Sequence, residues 1–136
     1  MADEGVMLTT LLIFVALVPP PADFAARPLL DAIREKESGG EADPANAVGD
    51  GGKAIGPYQI WRAYWQDAVQ HDPSIGGTYE DCRDAAYAER VILAYWSRYA
   101  PAYDYETLAR IHNGGPKGHR RRGTLGYWRD VQGNLR

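Results

Sequence analysis

The chain has 136 residues, which fits one domain with a modest core. Its formal charge of -3 gives no support for nucleic-acid binding as the main task, and a single cysteine, Cys82, excludes an intrachain disulfide framework and a thiolate zinc cage alike. Its aromatic residues are 9 Tyr and 4 Trp against 2 Phe, side chains with a flat apolar face and a polar edge that suit sugar clefts as well as ordinary cores.

Met7 to Val18 is an apolar run of 12 residues, too short to span a bilayer comfortably and about right for the core of a signal peptide. Asp3 and Glu4 stand where Lys or Arg is expected, and the small-residue pattern near Ala22 to Ala26 is a poor cleavage site. A buried N-terminal helix is therefore the competing reading. Pro19-Pro20-Pro21 is a clear break, so residues 1–26 form a signal peptide or apolar segment and the folded domain covers 27–136.

Pro28 suits the first turn of a helix reaching about Glu37, and Gly39-Gly40 can take the left-handed backbone that stops it. The stretch 39–56 is rich in glycine and proline. Asp50-Gly51 within it signals a small β-hairpin with arms near Ala47-Val48 and Ala54-Ile55. A second helix is expected over 58–70. Thr78, with Asp81 three residues on, starts the longest helix, whose core side carries Ala85, Ala88, Ile92, Tyr95 and Tyr99. Pro101 ends it. Asp104 caps a fourth helix closed by Gly114-Gly115-Pro116, and Thr124 caps a last one carrying Tyr127, Trp128 and Val131. The fold class is α+β, mostly α, with about five helices and one small hairpin.

Glu37 ends its helix facing the negative end of the dipole, which disfavours the charged form, and partial burial pushes the same way. That makes it a proton donor, or else a solvated last-turn glutamate. Asp50 is either a turn residue chosen for its backbone or a second carboxylate across a cleft. Two carboxylates in unlike surroundings are what glycosidic cleavage asks for. Gln59, at a helix start, can bond a sugar amide or cap its own helix. His112-Asn113-Gly114 is a polar segment whose glycine lets backbone approach a ligand. His71 and His119 show no ligand spacing to His112, so no metal and no cofactor is expected. Gly49-Asp50-Gly51-Gly52-Lys53-Ala54 has dinucleotide-fingerprint spacing, but no strand precedes it and Gly56-Pro57 blocks the long helix that should follow. Lys117, His119, Arg120, Arg121 and Arg122 form one basic loop, either a solvated surface or a site for an anionic polymer.

Glu37-Ser38-Gly39-Gly40, Gly56-Pro57-Tyr58-Gln59-Ile60 with Tyr64-Trp65-Gln66-Asp67 after it, Arg98-Tyr99-Ala100, Arg110-Ile111-His112-Asn113-Gly114-Gly115-Pro116 and Tyr127-Trp128 form an ordered set over about 29–131. It resembles the lysozyme superfamily, closest to invertebrate-type lysozymes and their bacterial relatives and more distantly to soluble lytic transglycosylases. The resemblance implies an α-rich lysozyme domain with a hairpin lining the cleft. It implies Glu37 as general acid for the β-1,4 bond between N-acetylmuramic acid and N-acetylglucosamine, with Asp50 as second acid. Ser38, Tyr58, Gln59, His112, Asn113 and Gly114 would contact the saccharide. The partner would be peptidoglycan or a related aminosugar polymer, met by a secreted or periplasmic monomer. Two alternatives remain: a lytic transglycosylase using Glu37 alone, and a non-catalytic glycan-binding module. One departure is the single cysteine, since invertebrate-type lysozymes are rich in disulfides. Stability must come from packing, and a bacterial relative fits better.

Overall fold

The computed structural model describes residues 19–136, so the apolar run at 7–18 and the export signal expected from it lie outside the described residues. The first helix, α1, spans Ala26–Ser38, two residues earlier than Pro28 suggests. Leu29, Ile33 and Glu37 are spaced four apart and share one face. Leu29 and Ile33 are fully buried, so the same face carries Glu37 inward at the last turn. The helix stop differs from expectation. Gly39 has φ -60 and ψ -23, right-handed rather than left-handed. Glycine is required for space instead: a Cβ there would meet the Glu35 carbonyl oxygen at 2.5 Å.

Three two-residue strands follow: β1 (Val48–Gly49), β2 (Ala54–Ile55) and β3 (Ile60–Trp61). They pair antiparallel in the order β1-β2-β3, with Val48 opposite Ile55 and Ile55 opposite Ile60. The hairpin arms thus lie close to the expected places, and a third strand replaces the start of the expected second helix. The cause is the backbone between them. Gly56 (φ +77) and Gln59 (φ +51) turn the chain back on itself, and a Cβ on Gly56 would lie 2.3 Å from the Cys82 carbonyl oxygen. Helix α2 begins only afterwards, as Arg62–His71.

The capping box of Thr78 and Asp81 forms, but it caps a short 3₁₀ helix, Tyr79–Arg83, in which Cys82 is buried. A second cap, Asp84, then opens α3 (Ala85–Tyr99) by accepting from the Ala86 N–H. Asp104 caps α4 (Tyr105–Gly114) as expected. The last helix, α5, is Leu125–Gly133, but Thr124 does not cap it. Its hydroxyl lies buried, donating to backbone carbonyls at 118 and 121 and accepting from Arg110. The architecture is α+β and mostly α. Helix α3 supplies the middle of the core through Val91, Ile92 and Trp96, against Leu29 and Ile33 of α1, Leu108 and Ile111 of α4, and Val131 of α5. Tyr64 of α2 stacks on Tyr95 of α3 with ring centroids 3.7 Å apart. No helix among the described residues is long and apolar enough to cross a membrane.

Candidate active site

Lys36, Glu37, Asp50, Gln59, Trp61, His112, Asn113 and Tyr127 line one cleft of about 470 Å³. Glu37 forms one wall at the end of α1, with its side chain 20% exposed. Burial pushes its carboxyl up to about 7. The Tyr127 hydroxyl and the Lys36 ammonium oppose that rise, and the negative charge of Asp50 adds to it. Tyr127 donates to Glu37 Oε1 at 2.8 Å. Oε2 has no hydrogen-bond partner among the described residues, so it is the oxygen free to hold a proton toward the cleft.

His112 backs this wall. Its Nε2 lies 3.9 Å from Glu37 Oε1 and 3.3 Å from the Tyr58 carbonyl oxygen, while Nδ1 is 3.0 Å from the Tyr64 hydroxyl. A carbonyl can only accept, so Nε2 carries the hydrogen and Nδ1 accepts from Tyr64. Burial drives the imidazole down to about 4, leaving it neutral at ordinary pH. A neutral ring beside Glu37 lends no positive charge to its carboxylate, which preserves the upward shift. The pair is not an ion pair.

Asp50 comes from the turn between β1 and β2. Its φ is +51, and Gly51 and Gly52 follow at +67 and +93, so three successive residues are left-handed. Aspartate tolerates this better than most residues. The Trp61 indole N–H donates to Asp50 Oδ2 at 3.0 Å, which orients the carboxylate. Gln59, also left-handed, braces the same turn. Its amide N–H₂ donates to the carbonyls of Gly56 (2.9 Å) and Ala47 (3.3 Å), and a Cβ on Gly49 would meet its Oε1 at 2.2 Å. Strained backbone at two cleft residues is held by its surroundings, a pattern common at functional sites.

Of the residues expected to touch a saccharide, Gln59, His112 and Asn113 reach the cleft and three do not. Ser38 is buried and donates to the Pro57 carbonyl at 2.7 Å, tying α1 to the turn before β3. Tyr58 is fully buried, with its hydroxyl on Glu89 at 2.7 Å. Gly114 packs on Thr124, whose methyl a Cβ would meet at 2.6 Å. In each case an inward side chain or a close contact is satisfied away from the cleft lining. Trp61 and Tyr127 also line the cleft, though nothing in their local sequence marks them for it. Trp61 falls in the stretch expected as helix, and Tyr127, though part of the ordered motif set, has its partner 90 residues away, beyond the reach of local spacing. A second concavity, lined by Gln59, Tyr64, Asp67, Tyr95, His112 and Pro116 among others, continues the cleft past Trp61.

Residues 28–134 match the Destabilase family. The chain is 33% identical over 122 residues to invertebrate-type lysozyme 6 of Caenorhabditis elegans, covering 81% of this chain and 87% of that one. It is 44% identical over 84 residues to lysozyme 1 of Crassostrea virginica, covering 58% of this chain but only 44% of the longer relative. Among solved structures it superposes on the Tapes japonica lysozyme with a TM-score of 0.67 at 31% identity, covering 78% of this chain and 87% of the other. The chain belongs to the Destabilase family, the lysozyme-like enzymes of the invertebrate type.

Proposed function

We propose that the chain is a glycoside hydrolase that cleaves the β-1,4 bond between N-acetylmuramic acid and N-acetylglucosamine in peptidoglycan. The observation that carries this reading is a carboxyl raised to about 7 in the same cleft as a solvent-facing second carboxylate. Glu37 delivers the proton on Oε2 to the glycosidic oxygen as the bond from the anomeric carbon breaks. Positive charge builds on the sugar ring, and Asp50 stabilises or traps it. Water then adds to the anomeric carbon, and the Glu37 carboxylate takes its proton. Gln59, His112 and Asn113 line the path of the glycan. Work on a wall polymer calls for delivery across the membrane, a task this reading gives to the apolar run at 7–18.

The test is turbidity clearing of purified cell wall together with the mass of the fragments. Glu37→Gln is expected to lose about 10²- to 10⁴-fold in turnover, the usual contribution of a positioned acid. Asp50→Asn is expected to lose most turnover too, and the wild type to release fragments with an ordinary reducing end. Fragments lighter by one water, with near-normal turnover in Asp50→Asn, would assign the chain to lytic transglycosylation by Glu37 alone. Undiminished clearing by Glu37→Gln would end both enzymatic readings.

A further inference from the structure

Beside the Glu37 cleft lies another concavity of about 420 Å³, and the two share Trp61. Lys53, Arg62 and Arg83 line it together with one carboxylate, Glu80, and with Val48 and Tyr79 as apolar wall. Arg83 is already engaged, donating to Glu80 at 2.8 Å. Lys53 and Arg62 have no carboxylate partner among the described residues. Their charged heads lie instead over aromatic rings, Lys53 at 5.7 Å from the Trp61 centroid and Arg62 at 4.5 Å from that of Tyr79. A ring face steadies a cation without consuming its N–H donors, so both remain open to an acceptor. Arg62 also opens α2, where the helix dipole opposes a positive charge, so helix stability does not account for it. In a chain of formal charge -3, this is a local reversal of sign placed next to the cleft. Val48 and Trp61 are 57% and 44% exposed, an apolar surface at the same spot.

We propose that Lys53 and Arg62 bind carboxylates of the peptide stems carried by the glycan in the cleft, with Trp61 and Val48 covering their small aliphatic side chains. The inference rests on the glycosidase reading and deepens it. Of the aminosugar polymers that could enter the cleft, peptidoglycan carries short acidic peptides on its muramic lactyl groups, and chitin-like polymers carry none. A cationic, partly apolar hollow one tryptophan away from the cleft matches the first and has no use for the second. Lys53 then acts at two removes from the chemistry, since Trp61 is the residue that orients Asp50.

The experiment compares binding of wild type and Lys53→Ala/Arg62→Ala to two forms of one polymer: purified wall bearing its stems, and the same glycan after an amidase has removed them. Wild type is expected to bind the stem-bearing form about 3- to 10-fold more tightly, as two exposed charge pairs allow, with the preference shrinking as salt is added. The double variant should lose that preference, and Lys53→Glu/Arg62→Glu should reverse it. Equal wild-type affinity for both forms, or a wild-type ratio in the double variant, overturns the proposal. Release of reducing ends from the stripped glycan, scored separately, tests the glycosidase reading on its own.

Discussion

Burial holds the Glu37 carboxyl near 7, and burial of a would-be anion costs stability in a defined pH window. A raised folded-state value means the contribution is fully present below 4.5, where both states are protonated, and is lost as pH rises through about 7. The shift from 4.5 to about 7, at about 1.4 kcal/mol per unit, corresponds to about 3 kcal/mol. Glu37→Gln keeps the shape and never ionises. Its stability should match wild type near pH 4 and exceed it by about 3 kcal/mol above pH 7, read from denaturant midpoints at each pH. A gap that does not change with pH would show that Glu37 is not held neutral. Tyr127 works in the other direction, because its hydroxyl donates to the ionised form and lowers the shift. Removing it in Tyr127→Phe should keep Glu37 protonated to higher pH. The alkaline limb of the kcat/KM profile then moves upward, whereas loss of packing alone would lower the profile without moving it.

Among the elements, the turn linking β2 to β3 decides whether the second carboxylate is held in place. Gly56 sits at φ +77 with the backbone of Cys82 and Arg83 against its α-carbon, and Tyr79 anchors the same region by donating to the Ile60 carbonyl at 2.6 Å. Gly56→Ala combines an unfavourable backbone with a backbone clash, so a loss above about 2 kcal/mol is expected from thermal or denaturant unfolding. A neutral result would mean the turn can move freely against the 3₁₀ helix. Helix existence was legible in the sequence because apolar spacing and caps are local: Leu29, Ile33 and Glu37, or Asp104 and its helix, need no distant partner. Strand β3 was not legible. Two residues carry no periodicity, and the left-handed Gln59 that turns the chain there is not a residue type that announces it. Thr78 shows a third case, a genuine capping box that starts a short 3₁₀ helix before Asp84 starts the long helix.

For the molecule as a whole, the two carboxylates belong to different parts of the chain, Glu37 to the helical body and Asp50 to the small sheet. What fixes one against the other is a handful of cross-ties: Ser38 to Pro57, His112 to Tyr58, Tyr58 to Glu89. This is why Ser38 and Tyr58 stood out in the sequence and yet do not face the cleft. Their motif neighbours are chemical, and they are the joints between the parts. Such long-range ties are invisible to local spacing, as is the contact that brings Tyr127 to Glu37. With one cysteine, and that one buried, rigidity rests on packing around Trp96, whose indole donates to the Leu108 carbonyl at 3.0 Å. All of this structure converges on one side chain kept neutral at the cleft. A carbon-detected NMR titration of the Glu37 carboxyl in the folded protein measures that directly. The midpoint is expected near 7, and a midpoint near the ordinary 4.5 would contradict a carboxyl held neutral by burial.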